Sequence, residues 1–471
     1  MPSNSYFTVM KMNKIALAGT AVAAVMMLGS CGIYKKYETP TDTALTQAYV
    51  EARQAGQDST AFGALLWEQV FTDPKLVDLI NQALENNANL QNAKLNVDIA
   101  NANLLGAKLS YLPSVAIAPN GGGASYAGSD LSWSYQLPAQ ASWEVDIFGK
   151  LLNNKRSAKA AVLRSEAYAQ ATRSQIIASV ANTYYAIAAV RSQLELSRNT
   201  AVLWKETVQT MKDLKEAGRG VTEAAVVQSA ANYYSILASI TDLEASQVQL
   251  NNTMSLLLNT LPQEWDVTAS VDLDVPQILR SGIPMSDLAA RPDVLAAEQD
   301  LAAAFYTTAG ARAAFYPSIN ISFAGGFTNA LGSMIKNPGE WFYQLAGSLT
   351  APLFARGQNI ARLKGAKAQQ KQALNNFEYT LLNAAAEVNN AMTIYQTSLE
   401  KSTALKEQVS NLEKSVEYTR DLMIYSTGST NYLEVLTAQQ GLLSAQISQI
   451  NTELARARAI INAYQALGGG R

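Results

Sequence analysis

The chain has 471 residues, no histidine and a single cysteine. Without histidine it lacks the commonest general base and the commonest metal ligand. With only Cys31 it can form neither an intrachain disulfide nor a thiolate-rich zinc site. Charge of one sign is also missing. The 36 basic and 38 acidic residues leave a formal net charge of −2, so no basic surplus points to nucleic acid. No nucleotide-binding glycine loop, no Ser/His/Asp set and no metal cluster stands out. An enzyme is therefore not expected, and no cofactor is implied. Proline is absent between Pro138 and Pro262 and again after Pro352. Glycine is absent from Leu151 to Ala217 and from Ala366 to Thr427.

The proline-free stretches are dense in Ala, Gln, Glu, Leu and Lys, which favour helix. A helix over Leu151–Ala217 would be about 100 Å long, and one over Ala366–Thr427 roughly 90 Å. Gly218-Arg219-Gly220 breaks the first, and Val221 to Leu258 returns. Gly428 breaks the second, and Thr430 to Leu467 returns. Helices of this length pack against one another as coiled coils do. Their apolar stripes are weak and Ala-rich, which suits one face on neighbours and one on water. A solvent-exposed coiled-coil spacer would have the same pattern.

Period-2 alternation marks the other element type. From Leu131 to Ile147 the odd positions are apolar and include Trp133, Tyr135 and Trp143. The even positions are mostly Ser, Gln, Glu144 and Asp146. On that segment alone, an amphipathic strand in a large soluble sheet and a membrane-spanning strand are both open. Trp341 to Leu353 alternates similarly. Pro113–Ala118 leads to the run Gly121-Gly122-Gly123, and Pro317–Phe323 leads to Gly325-Gly326. Each pair reads as a hairpin with a Gly-rich connection, over 113–147 and 317–353. Four strands cannot close a barrel, since the smallest membrane barrels have about eight. Open edges cannot face lipid, so strands that span a membrane require an oligomer.

Lys11 and Lys14 form a basic n-region, and Ile15–Leu28 an apolar core too short for a spanning helix. Leu28-Gly29-Ser30-Cys31 follows and looks like a lipobox. Residues 1–30 are expected to be a signal peptide, with Met1, Met10 or Met12 as the start and Cys31 lipidated. Residues 31–72 read as a polar lead. Asp73-Pro74 opens a helix whose apolar spacing persists towards Leu109, with Asp73 as N-cap. Residues 262–286 read as a small irregular insert, and Asp287–Ala314 as helix. The order helix, hairpin, long helix, Gly break, return helix occurs twice, over 73–261 and 287–471. Tyr111-Leu112-Pro113-Ser114-Val115 answers Phe315-Tyr316-Pro317-Ser318-Ile319, and Gly218 answers Gly428. The acidic pair Glu144 and Asp146 faces a lumen or a wet strand end, and no catalysis is assigned to it.

These features together resemble the TolC-like outer membrane factors, in the NodT-type lipoprotein branch that serves tripartite drug efflux pumps. The resemblance runs along nearly all of the mature chain. Cys31 to Pro40 resembles the family's lipidated lead. Trp67 with Phe71-Thr72-Asp73-Pro74-Lys75-Leu76 resembles its first-helix signature. Ser142-Trp143-Glu144-Val145-Asp146-Ile147-Phe148-Gly149-Lys150 is the most specific match, and Arg291-Pro292-Asp293-Val294-Leu295-Ala296-Ala297-Glu298 is similarly specific. The resemblance implies a mainly α fold with a transmembrane β part, and a homotrimer. Each protomer would give four strands to a twelve-stranded β-barrel and long helical hairpins to a periplasmic α-barrel. The 262–286 insert would belt that tunnel at its equator. It further implies lipid anchoring in the bacterial outer membrane, with acyl chains such as palmitate, and extension into the periplasm. The function would be passive export of small molecules such as drugs. A periplasmic adaptor and an inner membrane transporter would be the partners, with outer membrane lipid around the barrel and no nucleic acid.

The resemblance also suggests a periplasmic gate. Tyr425 and Glu434 sit where the family's gate residues are expected. Thr430 stands where some members carry a basic partner and Thr437 where a second acid occurs, which leaves the gate's charge pairs open. Three Glu434 carboxylates in a ring would favour cations. A turn residue pair that merely packs and solvates the helix end fits Tyr425 and Glu434 as well. Gly218, Gly220 and Gly428 would mark the tips of the hairpins. A type I protein-secretion duct shares this fold, and a non-conducting structural coiled-coil lipoprotein is the alternative from another class.

Overall fold

The computed structural model describes residues 33–55, 64–125, 127, 128, 130–268, 285–329, 339–352, 354–425 and 432–470. Cys31, Gly428 and Thr430 lie outside them. The described chain runs α1 Ala44–Ala55, α2 Trp67–Val70, α3 Pro74–Asn86, α4 Ala88–Leu109, β1 Ser114–Ile117, β2 Asn120–Ala124, β3 Ser132–Val145, α5 Lys150–Glu216 and α6 Glu223–Leu257. It continues through α7 Met285–Ala289, α8 Pro292–Ala313, β4 Ser318–Thr328, β5 Glu340–Thr350, α9 Gln358–Tyr425 and α10 Tyr432–Ala466. No described helix is long and apolar enough to cross a membrane.

The chain divides into two compact units. The first holds the sheet, with residues to Thr41, Asn96–Glu166 and Ala296–Glu378. All its strands pair antiparallel in the order β1-β3-β4-β5, with β2 also on β3. β1 and β2 share one register against β3: Ile117 faces Ala139 and Asn120 faces Gln136. They are one strand interrupted where Pro119 and Pro138 remove two ladder donors. Four strands therefore form, as the alternation predicts. The glycine runs, however, are not connections. Gly121–Gly123 pair with Ser134, Trp133 and Tyr135 inside the ladder, and Gly325 and Gly326 pair with Ala139 and Pro138. Gly326 has a steric reason to be there, because a Cβ would run into the Leu137 carbonyl and lie 2.8 Å from Pro138 Cα. At each strand-to-helix corner the backbone turns through positive φ, at Gly149 (67°) before α5 and at Gly357 (77°) before α9.

The second unit comprises Asp42–Leu95, Ala167–Leu295 and Tyr379–Arg471. Its buried residues include Ile177, Val180, Tyr184 and Ile187 in the middle of α5, and Leu76, Ile80, Ile460 and Ile461 on other helices. Phe71 meets Tyr464 edge-on at 6.0 Å. Amide pairs fix the register of α5 against α10. Gln465 donates to Gln175 (2.6 Å), Asn182 to Asn462 (3.3 Å) and Gln193 to Asn451 (2.8 Å). The polar lead is more regular than its composition suggests, since α1 packs on α7. The helix from Pro74 is also not continuous. Asn87 turns out at φ −63°, ψ 122°, and its side chain caps α4 by accepting from Asn89 and Leu90 N–H. Arg291-Pro292 likewise splits the predicted 287–314 helix into α7 and α8.

Candidate functional site

The sheet carries the first candidate surface. Its continuous register puts every odd-numbered strand residue on one face. That face holds Val115, Ile117, Trp133, Leu137, Ile321, Phe323, Trp341, Tyr343 and Leu345, all exposed in the single chain, Val115 and Trp341 by more than 70%. Aromatic residues mark both ends. Trp133, Trp341 and Tyr343 lie at the hairpin end, and Trp143 at the other, its indole donating to Tyr111 O at 2.9 Å. The even face is mostly Ser, Asn, Gln, Thr, Ala and Gly, with Phe342 as its one large apolar residue among the described strands, and Glu144 and Glu340 as the charged residues of the described strands, at opposite ends. β4 and β5 have 11 residues each, the length a tilted membrane strand needs, about 9–11 residues. β5 and the β1–β2 strand are unpaired edges.

Below the strand ends Lys150 Nζ lies 2.8 Å from Glu144 Oε1, and Asp146 accepts the Leu152 N–H at 2.7 Å. The acidic pair is thus divided, Glu144 to an ion pair and Asp146 to the first turn of α5, where a carboxylate suits the helix dipole. The lead is fastened here. Asn153 donates to Ile33 O at 2.9 Å, and Thr39 donates to Glu298 at 2.6 Å. Phe148 stacks on Tyr316 at 5.0 Å, so the duplicated segments meet.

The hairpin turn between α5 and α6 is the second candidate surface. Gly218 and Gly220 have φ of 66° and 72°, with open space where a Cβ would lie, so glycine serves conformation rather than room. Arg219 N donates to Leu214 O at 2.9 Å, Lys215 pairs with Glu223, and Thr222 caps α6. Glu434 is exposed in the first turn of α10. Tyr425 is the last residue of α9. Thr437 turns inward on its own helix, donating to Leu433 O at 2.7 Å. Next to Glu434, Tyr432 packs on the cluster of Ala201, Trp204, Ile236 and Leu436.

Two further sites escaped the sequence reading. The Arg291-Pro292-Asp293 motif is visible in the sequence, but its role is not. Arg291, 5% exposed, forks onto Asp293 at 2.7 and 3.0 Å and reaches Glu387 at 2.6 Å and Ala466 O at 2.7 Å. Burial alone would lower its pKa, but Asp293 and Glu387 raise it overall. The second is Asp73, whose cap role is local, while its carboxylate also accepts from Tyr184 OH at 2.6 Å. Thr268 N donates to the same phenol oxygen at 2.9 Å. No group of His, Cys, Asp and Glu among the described residues could hold a metal ion.

The profile of the family described as outer membrane efflux protein matches residues 79–260 and 284–469. The probable outer membrane lipoprotein SilC of Salmonella typhimurium is 25% identical over 460 residues, 96% of this chain and 98% of that protein. The probable efflux pump outer membrane protein TtgC of Pseudomonas putida is 29% identical over 475 residues, 97% and 96% of the two chains. The solved outer-membrane channel OprN superposes with a TM-score of 0.81 at 27% identity, covering 93% of this chain and 99% of its own. The open state of the Neisseria gonorrhoeae MtrE outer membrane channel gives 0.77 at 26% identity, covering 93% and 97%. The chain belongs to the outer membrane efflux protein family.

Proposed function

We propose that this protein is the passive exit duct of a tripartite efflux system, carrying small organic molecules across the outer membrane. The single observation that carries this reading is the sheet: one face apolar and aromatic-ended, the other polar, both edges open. Such a sheet can face lipid only when its edges are paired. A homotrimer supplies that, twelve strands from three copies, and the long helices extend the duct into the periplasm. In this reading residues 73–261 and 287–471 are two structural repeats, 262–286 is an equatorial insert, and residues 31–72 are a lead anchored by lipid at Cys31. A periplasmic adaptor and an inner membrane transporter complete the pathway and supply the energy.

Relatives point to different cargo. CusC of Escherichia coli is a cation efflux system protein, and TtgC of Pseudomonas putida is a toluene efflux pump outer membrane protein. This chain has no histidine, and its one cysteine is the lipidation residue of the proposal. Imidazole and a free thiol are therefore missing along its path, and six methionines after Cys31 are the soft ligands left to it, which favours organic cargo. Gly218, Gly220 and Gly428 mark the hairpin tips, and Tyr425, Thr430 and Glu434 form the gate.

The test is the mass of the detergent-extracted protein together with its conductance in a planar bilayer. A trimer with small, mostly closed conductance is expected, and Glu434→Ala should change its cation preference or its leak. A monomer, or a trimer that stays silent after Tyr425 and Glu434 are both replaced, overturns the duct. Unaltered selectivity and leak in Glu434→Ala removes that residue from the gate.

A further inference from the structure

Within the sheet-bearing unit a cavity of about 530 Å³ lies among the first turns of α5, the end of α8 and the first turns of α9. Pockets of 300–1,000 Å³ are typical of small-molecule sites. Its walls are largely apolar, with Leu151, Tyr306, Ala311 and Ala366 among them. Two charged side chains line it, Lys150 and Arg362, and no carboxylate does. Lys150 is tied to Glu144 at 2.8 Å, whereas Arg362 is exposed and has no hydrogen-bond or ion-pair partner among the described residues. An unpaired guanidinium over an apolar floor is complementary to an anion with an apolar body.

The cavity has a direction. A second hollow of about 300 Å³ shares Lys150, Ala314 and Arg362 with it and is lined by Glu144, Ser318 and Thr350, which lie on the polar face of the sheet. On α8 the cavity is met by Thr307, Ala311 and Ala314. The N-terminal lead touches Glu298 and Phe305 about half a turn away around the helix, and it reaches the cavity rim where Tyr37 N donates to Tyr306 OH and Asn153 donates to Ile33 O. The groove therefore opens towards the polar face of the sheet, where Glu144 and Asp146 line the adjoining hollow.

We propose that this groove is a way station for anionic amphiphiles in transit. The acid group pairs with Arg362 and Lys150, and the apolar body lies against Tyr306, Ala311 and Ala366. The transit role rests on the duct reading, while the binding itself does not.

The test uses the full trimer in phosphatidylcholine nanodiscs, dialysed to equilibrium against labelled taurocholate, with empty nanodiscs subtracted. Saturable binding of one molecule per protomer is expected. It should weaken about tenfold in Arg362→Gln and in Lys150→Gln, and persist in Arg362→Lys. Should either glutamine variant fail to trimerise, salt replaces it: binding to the wild type must weaken on going to about 0.5 M salt, where charge pairing is screened. Non-saturable or salt-insensitive binding overturns the proposal. Loss of taurocholate binding when phosphatidylglycerol is added to the nanodisc assigns the groove to a membrane lipid and overturns transit. Conductance is read on the same preparation. Binding without conduction keeps the site and removes the duct, and conduction without binding does the reverse.

Discussion

Asp73 shows what a residue can and cannot announce. Its capping role is legible because it is local: its side chain accepts the Lys75 N–H at 2.9 Å, and Pro74 holds the first helical position. Its second partner, Tyr184, is 111 positions away, and nothing in the chain nearby signals it. Burial alone would raise the Asp73 carboxyl. The hydrogen bonds from Tyr184, Thr268 and the backbone of Lys75 and Leu76 outweigh it and hold the group below the usual carboxylate range. Burial, with Asp73 beside it, pushes the Tyr184 phenol up to about 12. The signs follow from linkage. Asp73 stabilises the fold above about pH 4, and that contribution is lost as pH falls through its depressed folded value. Tyr184 stabilises below about pH 10, and its contribution is lost as pH rises towards 12. Tyr184→Phe should cost about 1.5–3 kcal/mol at neutral pH, the effect of a lost hydrogen bond to a charged group. It should also shift acid denaturation to higher pH, since Asp73 relaxes towards its ordinary value. Denaturation followed from neutral to acid pH checks this, and an unmoved acid limb would remove Tyr184 as the cause.

At the scale of elements, the alternation of Leu131–Ile147 and Trp341–Leu353 was sufficient to place β3 and β5, which end within three residues of those limits. The first strand and its glycines were not legible in the same way. Glycine runs ordinarily punctuate turns, and local sequence cannot show that Gly121 approaches Ser134 O or that Gly326 lies against Pro138. Those constraints belong to the partner strand. The break at Asn87 was hidden for a related reason: apolar spacing continues past it, while the cap is made by a single amide. Arg291 is the intermediate case. The motif stands out, yet its partners Glu387 and the carbonyl of Ala466 come from α9 and α10. Adjacent glycines give the discriminating test. A Cβ at Gly325 meets the movable Phe323 ring at 3.2 Å, whereas one at Gly326 meets backbone atoms of Leu137 and Pro138. Gly325→Ala should leave the proposed trimer nearly intact, read as the mass of the detergent-extracted protein, and Gly326→Ala should abolish most of it. Equal behaviour of the two would mean that the close β3–β4 approach does not govern assembly.

For the whole molecule the question is which tie to the membrane matters for folding, the sheet or the lipid. The lead that follows Cys31 is bound to the sheet-bearing unit at Ile33, Tyr37 and Thr39, through Asn153, Tyr306 and Glu298. Gly149 completes that seat, since a Cβ there would press on Ile33 and Tyr34 at 3.3 Å. These contacts are made by protein atoms and do not require the acyl chains. Membrane insertion, in turn, would follow from an apolar face of four strands, β4 and β5 with 11 residues each, whose open edges other copies would satisfy in the proposed trimer. Lipidation adds affinity in proportion to buried chain, about 0.8 kcal/mol per CH₂, but supplies no strand pairing. Cys31→Ala should therefore remove the lipid mass from the mature protein while leaving a trimer that inserts and conducts in a planar bilayer. Loss of folded trimer in that variant would show that the anchor guides assembly, and that the open strand edges are not paired without it.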